Sequence, residues 1–319
     1  DQKESNDITY HNGSIILSYK RVSAMLDFRH ETFLTLIACG SFTKAAQALH
    51  ITQPAVSQHI KYLEELYGCR LIDTSGRKLR LTAEGELLRE FVMTVSSDSK
   101  HLRESIRAAE SVTPFSFGAT LTIGEYVMPE ILSRLLIRYP DMRFHMAVAN
   151  TQILLERLSR GELDFIIVEG LFDKSEYDAT LFSLEKFVPV CSPKSPFARG
   201  EATFQELTKS RLIVRERGSG TREIFENILQ KNNFSLHSFD RVIEIGNMAA
   251  IKKMVSMDLG ITFLFEAAAR REIEEGSLAV IRIPGFDEMR EFNFVLLKNS
   301  FFRARYMKIY EMMKEYAHG

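Results

Sequence analysis

The 319-residue chain is long enough for two or three domains with cores of their own. Its 45% hydrophobic and 26% charged residues are ordinary for a globular protein, and no apolar run approaches a membrane span, so we expect a cytoplasmic protein with no membrane partner. The formal net charge of −1 does not by itself indicate nucleic acid, although basic residues confined to one small domain are compatible with such a total.

The chain begins with a polar, irregular segment. Residues 1–24 lack the long apolar core of a signal peptide, and we expect a disordered extension or a start-site artefact. A first helix follows, with Asp27 as its N-cap and Gly40 at its end. The side chains of its predicted apolar face are Phe28, Phe33, Leu36 and Ile37. This helix is expected to serve as scaffold.

Two short amphipathic segments meet between Ser41 and Lys61. Apolar residues recur at helical spacing on both segments, and small side chains let the two backbones approach closely. These residues are Ala45, Ala46 and Leu49 on the first segment, and Ala55, Val56, Ile60 and Leu63 on the second. The pattern predicts a helix, a sharp turn and a second helix.

The outer side of this motif carries polar residues suited to DNA. Glutamine pairs with adenine in the major groove, serine hydrogen-bonds to a base or helps to position the protein on the DNA, and lysine binds phosphate. A proline in the first helical turn leaves no N–H unpaired, and a helix N-terminus attracts phosphate. The candidate contacts are Thr43, Gln53, Pro54, Ser57, Gln58 and Lys61. The same residue types also suit an ordinary solvated helix face, and composition alone does not decide between the two interpretations.

The segment from Cys69 to Thr82 predicts two strands joined by a Ser-Gly turn. Arg77, Lys78 and Arg80 stand at the tip and just after it. A basic two-stranded wing lies along the DNA backbone beside a recognition helix and supplies affinity without sequence information. Helices and wing together predict a winged helix-turn-helix.

The run from Phe28 to Gly85 resembles the DNA-binding domain of the LysR-type transcriptional regulators. The resemblance is carried by Ser41-Phe-Thr-Lys-Ala-Ala-Gln-Ala-Leu-His-Ile-Thr-Gln-Pro-Ala-Val-Ser57, which matches the family pattern almost position for position. It implies a DNA-binding domain over residues 25–82 and double-stranded operator DNA as a partner, with RNA polymerase as a further candidate. The wing departs from the family at Ile72-Asp-Thr74, where an arginine usually follows the acid, so one phosphate contact is not expected.

A long helix is predicted from Thr82 to about Glu110, and residues 83–113 are expected to form a linker and dimerisation helix. Its apolar stripe consists of Leu87, Leu88, Phe91, Val92, Val95, Leu102 and Ile106. A long one-sided helix must bury that side against something. A second copy of the chain would present two recognition helices to paired half-sites, as the family resemblance also implies. A helix packed only against its own domains is the alternative.

Beyond residues 111–114, strand and helix patterns alternate. Apolar runs such as Phe165-Ile-Ile-Val168 are typical of parallel strands covered on both faces. We predict an α/β domain over residues 114–319, with lobe I at about 114–188 and 291–319 and lobe II at about 189–290. This organisation is similar to the two-lobed, periplasmic-binding-protein-like sensor of LysR-type regulators. The resemblance implies a homodimer or homotetramer formed through the linker helix and the sensor.

Ligands of open α/β units bind beyond the carboxyl ends of the strands, where loops lead into helix N-termini. The segment from Arg215 to Glu223 is the most informative of these loops. Gly218 and Gly220 let the backbone approach a ligand, and the helix that starts there directs N–H groups and Arg222 toward the cleft. Such a site suits a carboxylate, sulfate or phosphate. A glycine-rich turn that only caps a helix is the alternative.

The family resemblance favours the binding site, because LysR-type regulators place small-molecule contacts at positions matching Thr120, Thr151 and the loop around Asn247. The candidate effector residues are Thr120, Thr122, Asn150, Thr151, Glu169, Ser219, Gly220, Thr221, Arg222, Asn247 and Met248. The loops are similar to those of regulators of sulfur metabolism and carbon fixation, which indicates a small anionic metabolite. Glu125 and Glu169 leave a cationic, amino-acid-like effector as the alternative.

Other classes of function fit the sequence less well. A solute-binding protein would need a signal or lipid anchor and no basic wing. An enzyme on this scaffold would need a nucleophile elbow, a metal cluster or a phosphate loop with a lysine, so we predict no catalytic residue, metal or cofactor. Cys39, Cys69 and Cys191 lack metal spacing and are expected to be reduced. Cys191 is the only cysteine beyond the DNA-binding domain, which argues against the disulfide switch of peroxide-sensing family members.

Overall fold

A computed structural model describes residues 10–11, 14–15, 26–73, 79–107 and 114–317. The chain divides into two compact units, Asp1–Ala109 and Glu110–Gly319. Two short strands near the start, β1 (Tyr10–His11) and β2 (Ser14–Ile15), pair antiparallel. The rest of the predicted extension lies outside the described residues. In the described ranges, no helix is long and apolar enough to cross a membrane.

Three helices form the body of the first unit: α1 (Phe28–Cys39), α2 (Phe42–Leu49) and α3 (Gln53–Tyr67). At the start of each helix, a side-chain oxygen accepts a hydrogen bond from a backbone N–H of the first turn. The capping residues are Asp27, Ser41 and Thr52. Each helix ends at a residue in the left-handed conformation, namely Gly40, His50 and Gly68. The predicted helix, turn and helix are therefore present, with the predicted caps on α1.

The helices pack around a small core. Its fully buried side chains include Phe33, Leu36, Ala45, Val56 and Leu63. Phe28 does not belong to this core, because its side chain is 56% exposed, and the prediction that it forms part of the apolar face of α1 was wrong. Phe28 stands in the first turn of α1, where its ring meets the edge of His59 at 5.0 Å instead of the core.

The wing consists of β3 (Ile72–Asp73) and β4 (Arg80–Leu81), which pair antiparallel. Its first strand is tied to α3, because Glu64 Oε1 accepts from the backbone N–H of Leu71 at 2.9 Å. The long helix α4 (Ala83–Arg107) follows directly. Gly85 in its first turn has no room for a side chain, since an added Cβ would stand 2.1 Å from the carbonyl oxygen of Leu71.

The second unit alternates strands and helices. The strands are β5 (Phe115–Ala119), β6 (Phe144–Val148), β7 (Phe165–Val168), β8 (Asp178–Cys191), β9 (Arg211–Val214), β10 (Arg241–Glu244), β11 (Thr262–Phe265), β12 (Ala279–Val280) and β13 (Glu288–Leu296). The helices are a π-helical turn (Ile123–Val127), α5 (Met128–Arg138), α6 (Thr151–Ser159), α7 (Phe204–Leu207), α8 (Gly220–Lys231), α9 (Met248–Ser256), α10 (Glu266–Glu274) and α11 (Arg303–Lys314).

Two lobes arise from the strand pairing. In lobe I, β5 lies between β6 and β7 and is parallel to both. In lobe II, β9 and β10 are parallel, and a bridge between Leu212 and Ile261 connects β9 to the start of β11. The long strands β8 and β13 pair antiparallel and join the lobes, giving the order β11-β8-β13-β7-β5-β6. The predicted two-lobed α/β architecture is confirmed.

Stacked phenylalanines fill the core of each lobe. In lobe I the ring of Phe165 lies 5.0 Å from Phe117 and 4.6 Å from Phe294. In lobe II the rings of Phe225 and Phe263 are 4.3 Å apart. Because β5, β7 and β9 are fixed by these cores, the loops at their carboxyl ends are held in place where the lobes meet.

Candidate functional site

The first candidate site is the outer face of α3, formed by Gln53, Pro54, Ser57, Gln58 and Lys61. All are exposed except Ser57, which is half-buried. The amide of Gln53 donates to Ser57 Oγ at 3.0 Å, and Lys61 Nζ stands 3.7 Å from the carboxylate of Glu65 in a solvent-exposed pair. A solvent-exposed ion pair is weak, so Lys61 can leave Glu65 and bind a phosphate instead. Thr43 on α2 is exposed as well.

His59, on the same helix, belongs to the scaffold. Its Nδ1 lies 2.9 Å from Thr32 Oγ1 on α1, and its ring packs edge-on against Phe28. Burial and then the positive charge of Arg29 lower the pKa of His59, while Asp27 opposes them. The imidazole is therefore turned away from the outer face of α3 and is neutral at physiological pH.

The wing contributes Arg80, which is exposed on β4 and stands opposite Asp73 in the strand register. Arg77 and Lys78 lie outside the described residues, and their contacts with DNA stay predictions.

The second candidate site is the junction of the two lobes. Lobe I brings together four predicted residues, all buried: Thr120 and Thr122 after β5, Thr151 at the start of α6, and Glu169 after β7. The hydroxyl of Thr120 donates to the Glu169 carboxylate, and Thr151 Oγ1 donates to the backbone oxygen of Glu169 at 2.9 Å. Glu169 is thus the centre of a hydroxyl-rich cluster.

Lobe II meets this cluster with the N-terminus of α8. A Cβ on Gly220 would lie 3.1 Å from the backbone oxygen of Glu169, so glycine lets the two lobes touch here through their backbones. Gly218 has φ of 86°, in the left-handed region. Among the described residues, α8 starts without a side-chain cap, since Ser219 accepts no hydrogen bond from its first turn. The free N–H groups of that turn remain available to a ligand.

Two buried hydroxyls belong to the segments that form the junction, one just after β5 and one in the first turn of α8. Thr122 in lobe I is 1% exposed and Thr221 in lobe II is 2% exposed. In the part of the chain that the structure describes, Thr221 Oγ1 has no hydrogen-bond partner, whereas the Thr122 hydroxyl lies close enough to the Glu169 carboxyl group to favour its charged form. We call these two groups the junction hydroxyls. A buried polar group without a partner is costly, so the arrangement suits a ligand that supplies acceptors.

The charge state of Glu169 is set by its surroundings. Burial disfavours the carboxylate and raises the pKa of Glu169 to about 7. Its own backbone N–H, Arg215 and the nearby Thr122 hydroxyl favour the charged form and limit the rise. The carboxyl group therefore exchanges its proton close to neutral pH.

The arginines of this region are already paired. Arg215 is buried, and its guanidinium makes two 2.8 Å bonds to the carboxylate of Glu216. Arg222 donates to Glu226 at 2.7 Å and to Glu244 at 2.6 Å. Both charges are compensated within lobe II. The sequence pattern predicted that Arg222 faces the ligand and did not identify Arg215. The i, i+4 spacing of Arg222 and Glu226 could have predicted that Arg222 forms an ion pair within its helix.

The remaining predicted residues have structural duties. The side-chain oxygens of Asn150 and Asn247 cap α6 and α9, accepting from Ile153 and Ala250 at 2.9 and 2.8 Å. Met248 packs in the core of lobe II. Asn150 also lies close to lobe II, because a Cβ on Gly218 would stand 3.8 Å from its Nδ2.

A pocket of about 390 Å³ lies between the π-helical turn, α10 and the end of α11. None of the predicted effector residues, all of which the structure describes, lines it. At its edge, Lys252 Nζ donates to the backbone oxygen of Ala268 at 2.6 Å, pairs with Glu272 at 2.6 Å and lies 4.3 Å from the centre of the Tyr126 ring. This cation–π contact ties lobe II to lobe I, and no sequence pattern predicted it.

Burial makes the Cys191 thiol unreactive. Cys191 is fully buried, and burial raises its pKa to about 11. All three cysteines are free. Among the described residues, no group of three or more His, Cys, Asp or Glu side chains is arranged to hold a metal ion.

Comparisons with known proteins agree with both halves of this architecture. Residues 29–86 match the family model of the bacterial regulatory helix-turn-helix protein of the lysR family, and residues 108–317 match the LysR substrate binding domain. The HTH-type transcriptional regulator YeiE of Escherichia coli (strain K12) is 30% identical over 254 residues, which is 80% of this chain and 85% of that protein.

Solved structures share the fold. An OxyR C206 mutant of Corynebacterium glutamicum has a TM-score of 0.59 at 23% identity, covering 94% of this chain and 92% of that one. The regulatory domain of Synechocystis PCC6803 CcmR, solved in complex with 2-PG, has a TM-score of 0.57 at 21% identity and covers 63% of this chain and 96% of that one. The two family models together span most of the chain, and the chain therefore belongs to the LysR family of transcriptional regulators, which are DNA-binding proteins rather than enzymes.

Proposed function

We propose that this regulator works in the cytoplasm as a homodimer or homotetramer, reads operator DNA through α3 and the wing, and changes its DNA contacts when a small anion binds where the two lobes meet. The observation that carries the proposal is the pair of junction hydroxyls, the buried side chains of Thr122 after β5 and Thr221 in the first turn of α8. RNA polymerase is a further candidate partner.

The DNA contacts follow from exposure and chemistry. Gln53 and Gln58 present amides that match the donor and acceptor edge of adenine, and Lys61 supplies a phosphate contact. Pro54 leaves the N-terminus of α3 open to a phosphate. Thr43 of α2 and Arg80 of the wing flank this helix and position it by contacts with the DNA backbone.

Self-association is supported by the face of α4. The predicted apolar stripe divides: Leu88 and Val92 are buried in the core of the first unit, while Leu87, Phe91 and Ile106 are exposed. Leu102 is partly exposed on the same side of the helix. Apolar side chains at this spacing, on a helix 25 residues long, suit a helix–helix contact with a second copy. A two-fold dimer would then present two recognition helices to paired half-sites.

The effector class follows from the donors at the junction. The junction hydroxyls and the uncapped N–H groups of α8 can all donate, whereas both nearby arginines are neutralised by glutamates. Neutral donors of this kind hold a small oxyanion without a full countercharge. That a related regulatory domain was solved with 2-PG supports the anionic class.

The coupling to DNA would run through the placement of the lobes. Gly220 and Glu169 already meet through their backbones, so a ligand between them alters how closely the lobes approach. Such a change shifts the relative positions of the subunits, and hence the separation of the recognition helices. The size of the shift is set by how much more tightly the ligand binds one arrangement than the other.

The test is a thermal-shift screen of the full chain against small anions and amino-acid-like metabolites. At a hundredfold excess over Kd, a specific ligand should stabilise the protein by roughly 2.7 kcal/mol. Thr221→Val should abolish that shift, because it removes a junction hydroxyl. Thr208→Val is the matched control, since this buried hydroxyl of lobe II bonds to the backbone oxygen of Gln205 at 2.8 Å, away from the junction. Stabilisation by cationic metabolites alone would contradict the anionic class.

A further inference from the structure

The Glu169 carboxyl group is an unusual member of an anion site. Its side chain is 3% exposed and receives the hydroxyl of Thr120. A carboxylate and a fully ionised oxyanion repel each other at short range, particularly where water is excluded. The two can share one buried site only if a proton lies between them.

No neighbouring cation removes this conflict in the part of the chain that the structure describes. Arg215, on the loop between β9 and α8, is the positive charge that favours the Glu169 carboxylate, and it is held by Glu216. From α8, Arg222 is bound to Glu226 and Glu244.

The other elements around Glu169 bring no further charge to it. The segment after β5 contributes the hydroxyls of Thr120 and Thr122, and α6 contributes Thr151. Glu125, the acid of the π-helical turn, is exposed to solvent. Apart from the Arg215–Glu216 ion pair, the ligand is therefore met by neutral donors and by one carboxyl group.

We propose that the junction selects oxyanions that carry an ionisable O–H at neutral pH, and that the complex holds a single proton between the Glu169 carboxyl and a ligand oxygen. The inference rests on the proposed anion site and names its ligand class. Hydrogen phosphate, hydrogen sulfite and bicarbonate belong to this class, because each brings its own proton. Sulfate does not, and it can bind only after Glu169 has taken up a proton from solvent.

The ionisation of Glu169 is suited to this role. Its pKa of about 7 means that the carboxyl group gives up or accepts a proton at little cost near neutral pH. The carboxylate accepts a hydrogen bond from a ligand O–H, and the protonated group donates one to a bare ligand oxygen. In both protonation states of Glu169, the complex holds one proton between its carboxyl group and the ligand oxygen.

The test is the pH dependence of anion affinity, measured by isothermal titration calorimetry on the full chain with inorganic phosphate and sulfate at constant ionic strength. Between pH 8 and pH 9 the affinity for sulfate should fall about tenfold, because one proton must be taken up on binding. The affinity for phosphate should change by less than about twofold, because hydrogen phosphate supplies the proton. This comparison needs only the wild-type protein.

Two variants sharpen the result. Glu169→Gln is neutral at every pH, so its affinity for sulfate should not depend on pH and its preference for phosphate at pH 9 should disappear. Glu125→Gln is the matched control, an exposed acid of the same lobe, and it should keep the wild-type pH dependence.

Two outcomes would overturn the inference, and they are distinguishable. A wild-type affinity for sulfate that is the same at pH 8 and pH 9 would refute the proton requirement while leaving the anion site intact. Failure of both anions to bind at either pH would refute the anion site itself, and the ligand class with it.

Discussion

Replacing Glu169 by glutamine is expected to stabilise the protein above neutral pH. Burial raises the pKa of this carboxyl group from 4.5 to about 7. Each pH unit between these values corresponds to about 1.4 kcal/mol, so ionised Glu169 costs the folded state about 3 kcal/mol at pH 8. The glutamine amide is never charged, and its oxygen can still accept from the Thr120 hydroxyl.

The direction of the pH dependence follows from the two pKa values of Glu169. Between pH 4.5 and pH 7 the folded state holds the proton that the unfolded chain has already released. The stabilising contribution of protonated Glu169 is therefore complete below pH 4.5, declines as pH rises, and is lost above pH 7. The variant lacks this decline, so the difference in stability between variant and wild type opens across the same window.

Thermal unfolding between pH 5 and pH 8.5 measures this difference. For a unit of this size, about 3 kcal/mol corresponds to roughly 6–12 °C in Tm. We expect most of that gain in Glu169→Gln at pH 8 and little of it at pH 5, whereas Glu125→Gln should show no pH-dependent gain. A gain that is equal at pH 5 and pH 8, or a loss of stability at pH 8, would refute the reasoning.

Three further outcomes are expected. Lys61→Ala should reduce the salt dependence of operator binding by about one phosphate contact, whereas Lys231→Ala on α8 should leave it unchanged. The salt dependence would be measured by fluorescence anisotropy titrations. The same slope of affinity against salt for Lys61→Ala and wild type would contradict the phosphate contact of Lys61. Gly85→Ala should lower Tm more than Gly40→Ala, because the new Cβ at position 85 would lie 2.1 Å from a backbone oxygen. A Cβ at Gly40 would meet no atom within 4 Å, and the left-handed φ of that residue costs an alanine about 1 kcal/mol. An equal loss of Tm in the two variants would contradict the close packing at Gly85. Cys191 should resist alkylation in the folded protein at pH 7.5, because burial raises its pKa to about 11, and mass spectrometry should detect its labelling only after unfolding; rapid native labelling would contradict its burial.

Local patterns in the sequence were sufficient for much of the fold. Asp27 and Gly40 bound α1 as predicted, because a capping carboxylate and a left-handed glycine act within one turn. The apolar run Phe165-Ile-Ile-Val168 also forms a strand, β7, as predicted. In contrast, the full length of β8, Asp178–Cys191, depends on pairing with β13, about 110 residues away, and no local pattern predicts such a distant partner.

The candidate site was only partly readable from the sequence. Loops after strands correctly indicated that Thr120, Thr151 and Glu169 would come together, because the carboxyl ends of parallel strands share one edge. The pairing of Arg222 with Glu244 depends on the packing of β10 beside α8 and could not be read from spacing. The approach of Gly220 to the backbone oxygen of Glu169 likewise depends on how the two lobes pack.

The most direct test of the account is the effect of an anion from the thermal-shift screen on operator affinity. Full chain would be titrated by fluorescence anisotropy onto a duplex selected from random DNA, with and without that anion at saturation. We predict a change of at least about fivefold in Kd for the wild type and no change for Thr221→Val. An unchanged wild-type Kd, or the same change in the variant, would contradict the claim that the lobe junction controls DNA binding.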